Sequence, residues 1–218
     1  LYAWVRGQAV NVSAVATDTI QLQDNAPPNN LSISIANGAS YVNSDTVQVS
    51  VNGTDNFMIG EMLLTEFSIS TPSSNDSRWQ SYLTSPTYTF QESPVGAKTI
   101  YLWLKDTSGN ISSFSTQDSV TIDLDKPDTA RIQIVTSDND STTSQTVTLL
   151  LDATDNRTLD SGIAGYYYSE DSTKPIVDSS DWRSASGNKV FSTTLSYKLS
   201  DGTGVKTIYA WFKDLAGN

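Results

Sequence analysis

The sequence predicts an all-β chain of small sandwich domains joined end to end, and three observations carry that prediction. The first is repetition: K-T-I-Y-L-W-L-K-D-T-S-G-N at 98–110 returns as K-T-I-Y-A-W-F-K-D-L-A-G-N at 206–218, and a worn copy, L-Y-A-W-V-R, opens at Leu1. Tyr2, Tyr101 and Tyr209 are thus 99 and 108 residues apart. That is the length of one small β domain and well beyond the roughly 20–50 residues of a solenoid unit. The second is alternation, with Ile100, Leu102 and Leu104 on one parity and Tyr101, Trp103 and Lys105 on the other, the two-residue period of a strand. The third is the acidic balance: of 24 acidic residues only Glu61, Glu66, Glu92 and Glu170 are Glu, and Asp suits turns and loops rather than helix faces.

Taken in order, residues 1–24 read as the last two strands of a preceding repeat (1–5 and 19–22), because Leu1 falls inside a strand pattern. Their turn carries Gly7 and Val10 where the later copies carry Asp and Gly. Residues 24–30, with Pro27 and Pro28, form a short stiff linker. The repeat at 25–125 is predicted to hold strands at 31–35, 46–51, 66–70, 79–83, 87–90, 98–105 and 119–123, punctuated by Asn37-Gly38 and by Pro72, Pro86 and Pro94. The apolar run 57–64, F-M-I-G-E-M-L-L, reads as a loop whose helical turn covers the core, in preference to an exposed patch. The repeat at 126–218 is predicted at 131–135, 146–151, 165–169 and 193–199 and ends in the turn before its final strand; Trp182 matches Trp79 and Tyr168 is aligned with Phe67.

In the penultimate strand the aliphatic parity should face the core, leaving Tyr, Trp and Lys on the outer face. Asp106, Gly109 and Asn110 then turn the chain. The pattern Y-x-W-x-K-D-x-x-G-N, preceded by A-T-D-N at 153–156 and S-G-I-A at 161–164, resembles the tandem Ig-like repeats of large bacterial and archaeal surface or secreted proteins. The resemblance implies Ig-like β-sandwiches in series, an extracellular or cell-surface location, and work as spacers, stalks or adhesive modules rather than enzymes. Fold analogy supports architecture better than function.

Composition narrows the chemistry. A net charge of −11 and a pI near 4.2 exclude a nucleic-acid partner held by phosphate neutralisation. Without cysteine or histidine the chain builds no disulfide framework and no zinc, thiol or imidazole centre. No apolar run approaches the roughly 20 residues of a membrane span. Loop carboxylates in pairs would suit glycoside hydrolysis, but no nucleophile and base or cleft-building insertion accompanies them, so no catalytic residue is assigned.

Topology does bring carboxylates together. The connector residues Asp123, Asp125 and Asp128, the loop after the second strand with Asp152, Asp155 and Asn156, and the turn from Asp214 are expected at the same end of the last repeat. Six carboxylates there would repel, and hard oxygen ligands suit Ca²⁺. The competing expectation is that these Asp residues cap turns, since Asp155 and Asp214 recur as Asp55 and Asp106. Seven Asn-x-Ser/Thr triplets, at Asn11, Asn30, Asn52, Asn75, Asn110, Asn139 and Asn156, mark glycosylation acceptors if the chain is exported. Trp79, Trp182, Tyr166, Tyr167 and Tyr168 are the candidates for stacking on surface glycans. The leading expectation is a structural spacer or filament segment whose partners are neighbouring repeats. An adhesive or carbohydrate-binding module, and a fibre of like chains joined by strand addition at open edges, are the alternatives.

Overall fold

The computed structural model describes residues 1–6, 8, 12–91, 95–135, 141–155, 157 and 159–218, and it is all-β, with no α-helix among them. Tyr2–Ala3 (β1) pairs antiparallel with Ala16–Thr17 (β2). The second arm of this hairpin lies earlier than the expected 19–22. Gly7 and Val10 of its turn lie outside the described residues, as does Pro94.

Eight strands follow: Asn29–Ile35 (β3), Tyr41–Val42 (β4), Thr46–Thr54 (β5), Ile59–Thr65 (β6), Gln80–Ser81 (β7), Thr87–Thr89 (β8), Gly96–Asp106 (β9) and Thr116–Ile122 (β10). They form a three-stranded sheet, β3-β5-β8, and a five-stranded sheet, β4-β10-β9-β6-β7. Among the described residues only the β4–β10 pairing is parallel. One core joins the sheets: Ile35, Val47, Val49 and Val51 from the first meet Met62, Leu64, Ile100, Leu102, Leu104, Val120 and Ile122 from the second. Ile100, Leu102 and Leu104 are fully buried, as their parity required.

The apolar run at 57–64 is not a covering loop. From Ile59 onward it is β6, a central strand between β9 and β7. Buried on both faces, it carries a nearly continuous apolar sequence instead of an alternating one, which is why period-two reading passes over it. Phe57 and Met58, just before it, are exposed. The strand expected at 66–70 is absent because its place in the sheet is taken by β6.

Asp128–Val135 (β11), Thr146–Thr154 (β12), Ile163–Ser169 (β13), Arg183–Ser184 (β14), Val190–Lys198 (β15) and Tyr209–Asp214 (β16) build two further sheets, β11-β12-β15 and β14-β13-β16. No described strand of this set pairs with one of the earlier set. The second set repeats the first in register. Leu63 lies opposite Trp103 and Leu64 opposite Leu102, while Tyr167 lies opposite Trp211 and Tyr168 opposite Ala210. Tyr168 therefore corresponds to Leu64, not to Phe67, and the tyrosine run occupies the place of Met62-Leu63-Leu64. The larger Tyr168 faces the smaller Ala210, a volume exchange across one pair of strands. Among the described residues no helix is long and apolar enough to cross a membrane.

Candidate metal centre at the connector

The turn after β16 determines the site. Asp214 ends the strand, and its Oδ1 accepts from the backbone N–H groups of Gly217 (2.7 Å) and Asn218 (2.9 Å). Gly217 takes φ +92°, a left-handed conformation that favours glycine. This folds Asn218 back so that its Nδ2 donates to Asp214 Oδ2 (3.0 Å) and to the backbone carbonyl of Asp123 (2.9 Å). Asp123 is held from the other side as well: its N–H donates to the Val42 carbonyl (2.9 Å), and its carboxylate accepts from Ser161 N–H (2.7 Å) and Asp125 N–H (3.1 Å). Asp155 follows β12, and its Oδ2 accepts from Gly162 N–H (2.6 Å).

The result is a buried triad. Asp123, Asp155 and Asp214 are 3 %, 0 % and 2 % exposed, and each places a carboxylate oxygen within 4.8 Å of the others. Asp155 Oδ1 is buried and has no hydrogen-bond partner. Burial pushes the Asp155 carboxyl up to about 6; the nearby charges of Asp160, Asp123 and Asp214 add to the rise and the Gly162 N–H opposes it. Asp214 is raised in the same direction, first by burial and then, against its hydrogen bonds from Asn218 and Gly217, by Asp123. None of the described ion pairs reaches the triad. A surface cavity of about 270 Å³ opens beside Asp123, bordered by Asp125, Arg157, Leu159 and Asp160.

Three of the six expected metal residues are thus assembled and three are not. Asp125 and Asp128 both pair with the Arg157 guanidinium (3.1 Å each), which draws them out of the cluster. Asp152 lies within β12, opposite Arg131 and Ser192, because that strand runs three residues beyond its expected end. Asn156 lies outside the described residues.

Comparison with protein-family models, with curated proteins and with solved structures found no match. The site is therefore interpreted from its own geometry and from its internal copy.

That copy is one the sequence reading did not assemble. Asp24, Asp55 and Asp106 also place carboxylate oxygens within 4.8 Å of one another, and they stand 99, 100 and 108 residues before Asp123, Asp155 and Asp214. Asp106 Oδ1 accepts from Ser108 and Asn110 N–H (2.8 Å each), and Asn110 Nδ2 donates to Asp106 Oδ2 (2.7 Å) and to the Asp24 carbonyl (3.0 Å). Asp24 Oδ2 and Asp55 Oδ1 are buried without partners. The signal was present in the spacing, since Asp24 precedes Asp123 by the same interval that separates Tyr2 from Tyr101.

The aromatic candidates are engaged internally. Trp79 Nε1 donates to the Ser73 carbonyl (2.9 Å) and Lys105 Nζ lies 4.8 Å from its ring centroid. Trp182 Nε1 donates to the Ile176 carbonyl (2.8 Å) with Lys213 Nζ at 5.1 Å. Tyr167 packs on Trp211 and Trp182, Tyr166 on Phe191, and Tyr168 on Tyr197. The outer face of β9 is covered too: Trp103 and Lys105 are 4 % and 8 % exposed, because the segment carrying Ser74 and Trp79 lies over it. Of the glycosylation candidates, Asn30, Asn52 and Asn75 are exposed, whereas the Asn110 amide is committed to Asp24 and Asp106. Asn11, Asn139 and Asn156 lie outside the described residues.

Proposed function

We propose that the chain carries Ig-like β-sandwiches in series, at 25–125 and 126–218, serving as a spacer in an extracellular or cell-surface repeat protein. One observation carries this reading: Asn110 grips the Asp24 carbonyl and Asn218 grips the Asp123 carbonyl, each from the same Lys-Asp-x-x-Gly-Asn turn. A free linker leaves the units on either side to reorient. A connector held by the same side chain at successive junctions fixes one unit on the next, which is what a strut needs. Two sheets sharing one core fit the sandwich architecture. The engagement of Trp79, Trp182 and the tyrosine run within the sheet favours a strut over a glycan-stacking surface, where rings lie open.

Small-angle X-ray scattering on the whole chain tests the proposal. An elongated particle, with a maximum dimension near twice that of one unit, is expected. A compact, nearly spherical particle would overturn the strut, and specific retention on a glycan array would replace it with the adhesive reading.

A further inference from the structure

We propose that Asp123, Asp155 and Asp214 bind a hard divalent cation of the calcium class that locks the connector to the unit it enters. Three buried carboxylates with mutually close oxygens are one observation. The second, independent one is the orphaned oxygen: Asp155 is fully buried, yet its Oδ1 has no donor. A buried acceptor left unmade costs free energy, and here the groups around it are themselves anionic. A cation offsets both penalties, giving the orphan a ligand and the three charges a counter-ion. The surrounding N–H groups hold the other oxygens in place, the supporting role of an outer shell around a metal site.

Oxygen-only donors, with no histidine or cysteine in the chain, point to calcium or magnesium and away from zinc or copper. Calcium is the better match. It accepts the irregular geometry of carboxylates drawn from a connector, a loop and a turn, whereas magnesium demands a near-octahedral shell and gives up water reluctantly. A cavity of about 270 Å³ borders Asp123, one of the three carboxylates. The same assignment extends to Asp24, Asp55 and Asp106, where two orphaned oxygens point to the same need. Two cations per chain follow, one per junction. The mechanical consequence rests on the strut reading above; the binding itself does not.

The test uses the whole chain, stripped with EDTA and dialysed, in titration calorimetry with CaCl₂ and separately MgCl₂, and in thermal melts with each. About two equivalents of Ca²⁺ should bind, raising the melting temperature by about 5 °C or more at saturating metal, with a weaker response to Mg²⁺. Asp155→Asn should remove one equivalent and Asp55→Asn the other. Asparagine keeps an acceptor for the neighbouring N–H, and far-UV circular dichroism in EDTA checks that each variant folds; Asp214→Asn and Asp24→Asn provide second variants for each site. No heat and no shift in melting temperature would overturn the proposal, and a single equivalent untouched by Asp55→Asn would overturn its extension to the earlier junction. Scattering on the same samples separates the two readings: cation binding by a compact particle would sink the strut and leave the metal site standing.

Discussion

Lys105 illustrates how a charged side chain becomes part of a sheet's interior. It is 8 % exposed, lies over the Trp79 ring, donates to the Ser74 carbonyl (2.9 Å) and pairs with Glu61 (2.5 Å). Its counterpart Lys213 keeps the ring and a carbonyl, that of Val177 (2.7 Å), but faces Gly165 where Lys105 faces Glu61. The ion pair is therefore the dispensable part. Glu61→Ala should change stability by less than about 1 kcal/mol, as for half-exposed pairs, whereas Lys105→Ala, which strips a packed stem as well as a charge, should cost about 2 kcal/mol in urea denaturation. Asp155 carries a different signature. Its folded pKa, about 6, lies above the ordinary 3.8, so the native state holds the extra proton. Its contribution is fully present below about pH 4 and is lost as pH rises through about 6, and Asp214 acts in the same direction. Asp76, Glu170 and Asp171 are lowered and act in the opposite sense, but at and below their ordinary 3.8 to 4.5. In EDTA the chain should melt several degrees higher at pH 5 than at pH 7, and Asp155→Asn should flatten that slope. Equal melting temperatures for the unaltered chain at both pH values would contradict the burial of these acids.

At the scale of the element, the two halves solve one packing problem with different volumes. Leu64 faces Leu102 in the first, and Tyr168 faces Ala210 in the second. Leu64→Tyr alone overfills a core already closed by Leu102, and Leu102→Ala alone leaves a cavity, at about 2–3 kcal/mol each. The double variant should recover at least about 1 kcal/mol of the summed loss in a double-mutant cycle, and strict additivity would reject the exchange. β5 announced itself in the sequence because it has one core face and one outer face, and β9, although covered on both, because its aliphatic parity alternates with Tyr101, Trp103 and Lys105. β6 did not, because burial on both faces erases the alternation on which such reading depends. The same limit applied to the site. Asp123, Asp155 and Asp214 were reachable from topology, but Arg157, which withdraws Asp125 and Asp128, acts through a contact that spacing does not reveal.

Across the whole molecule the decisive question is how firmly the connector is held. Asp123 is secured by Val42 behind it and by Ser161 and Asn218 ahead of it, while the next residue, Leu124, stands 41 % exposed. An exposed leucine in a short connector is a chymotrypsin site only if the backbone around it can leave its partners, because cleavage requires local opening. Asn218→Ala removes the grip on the Asp123 carbonyl without touching a core residue, so cleavage after Leu124 should accelerate several-fold while urea stability falls by about 1 kcal/mol. Asn110→Ala, which loosens the earlier connector at Asp24, should leave the rate at Leu124 unchanged and serves as the matched control. Mass spectrometry of the first-cut fragments assigns the site. If both variants are cut after Leu124 at the rate of the unaltered chain, the asparagine grip does not hold the connector, and a fixed angle between units loses its physical cause.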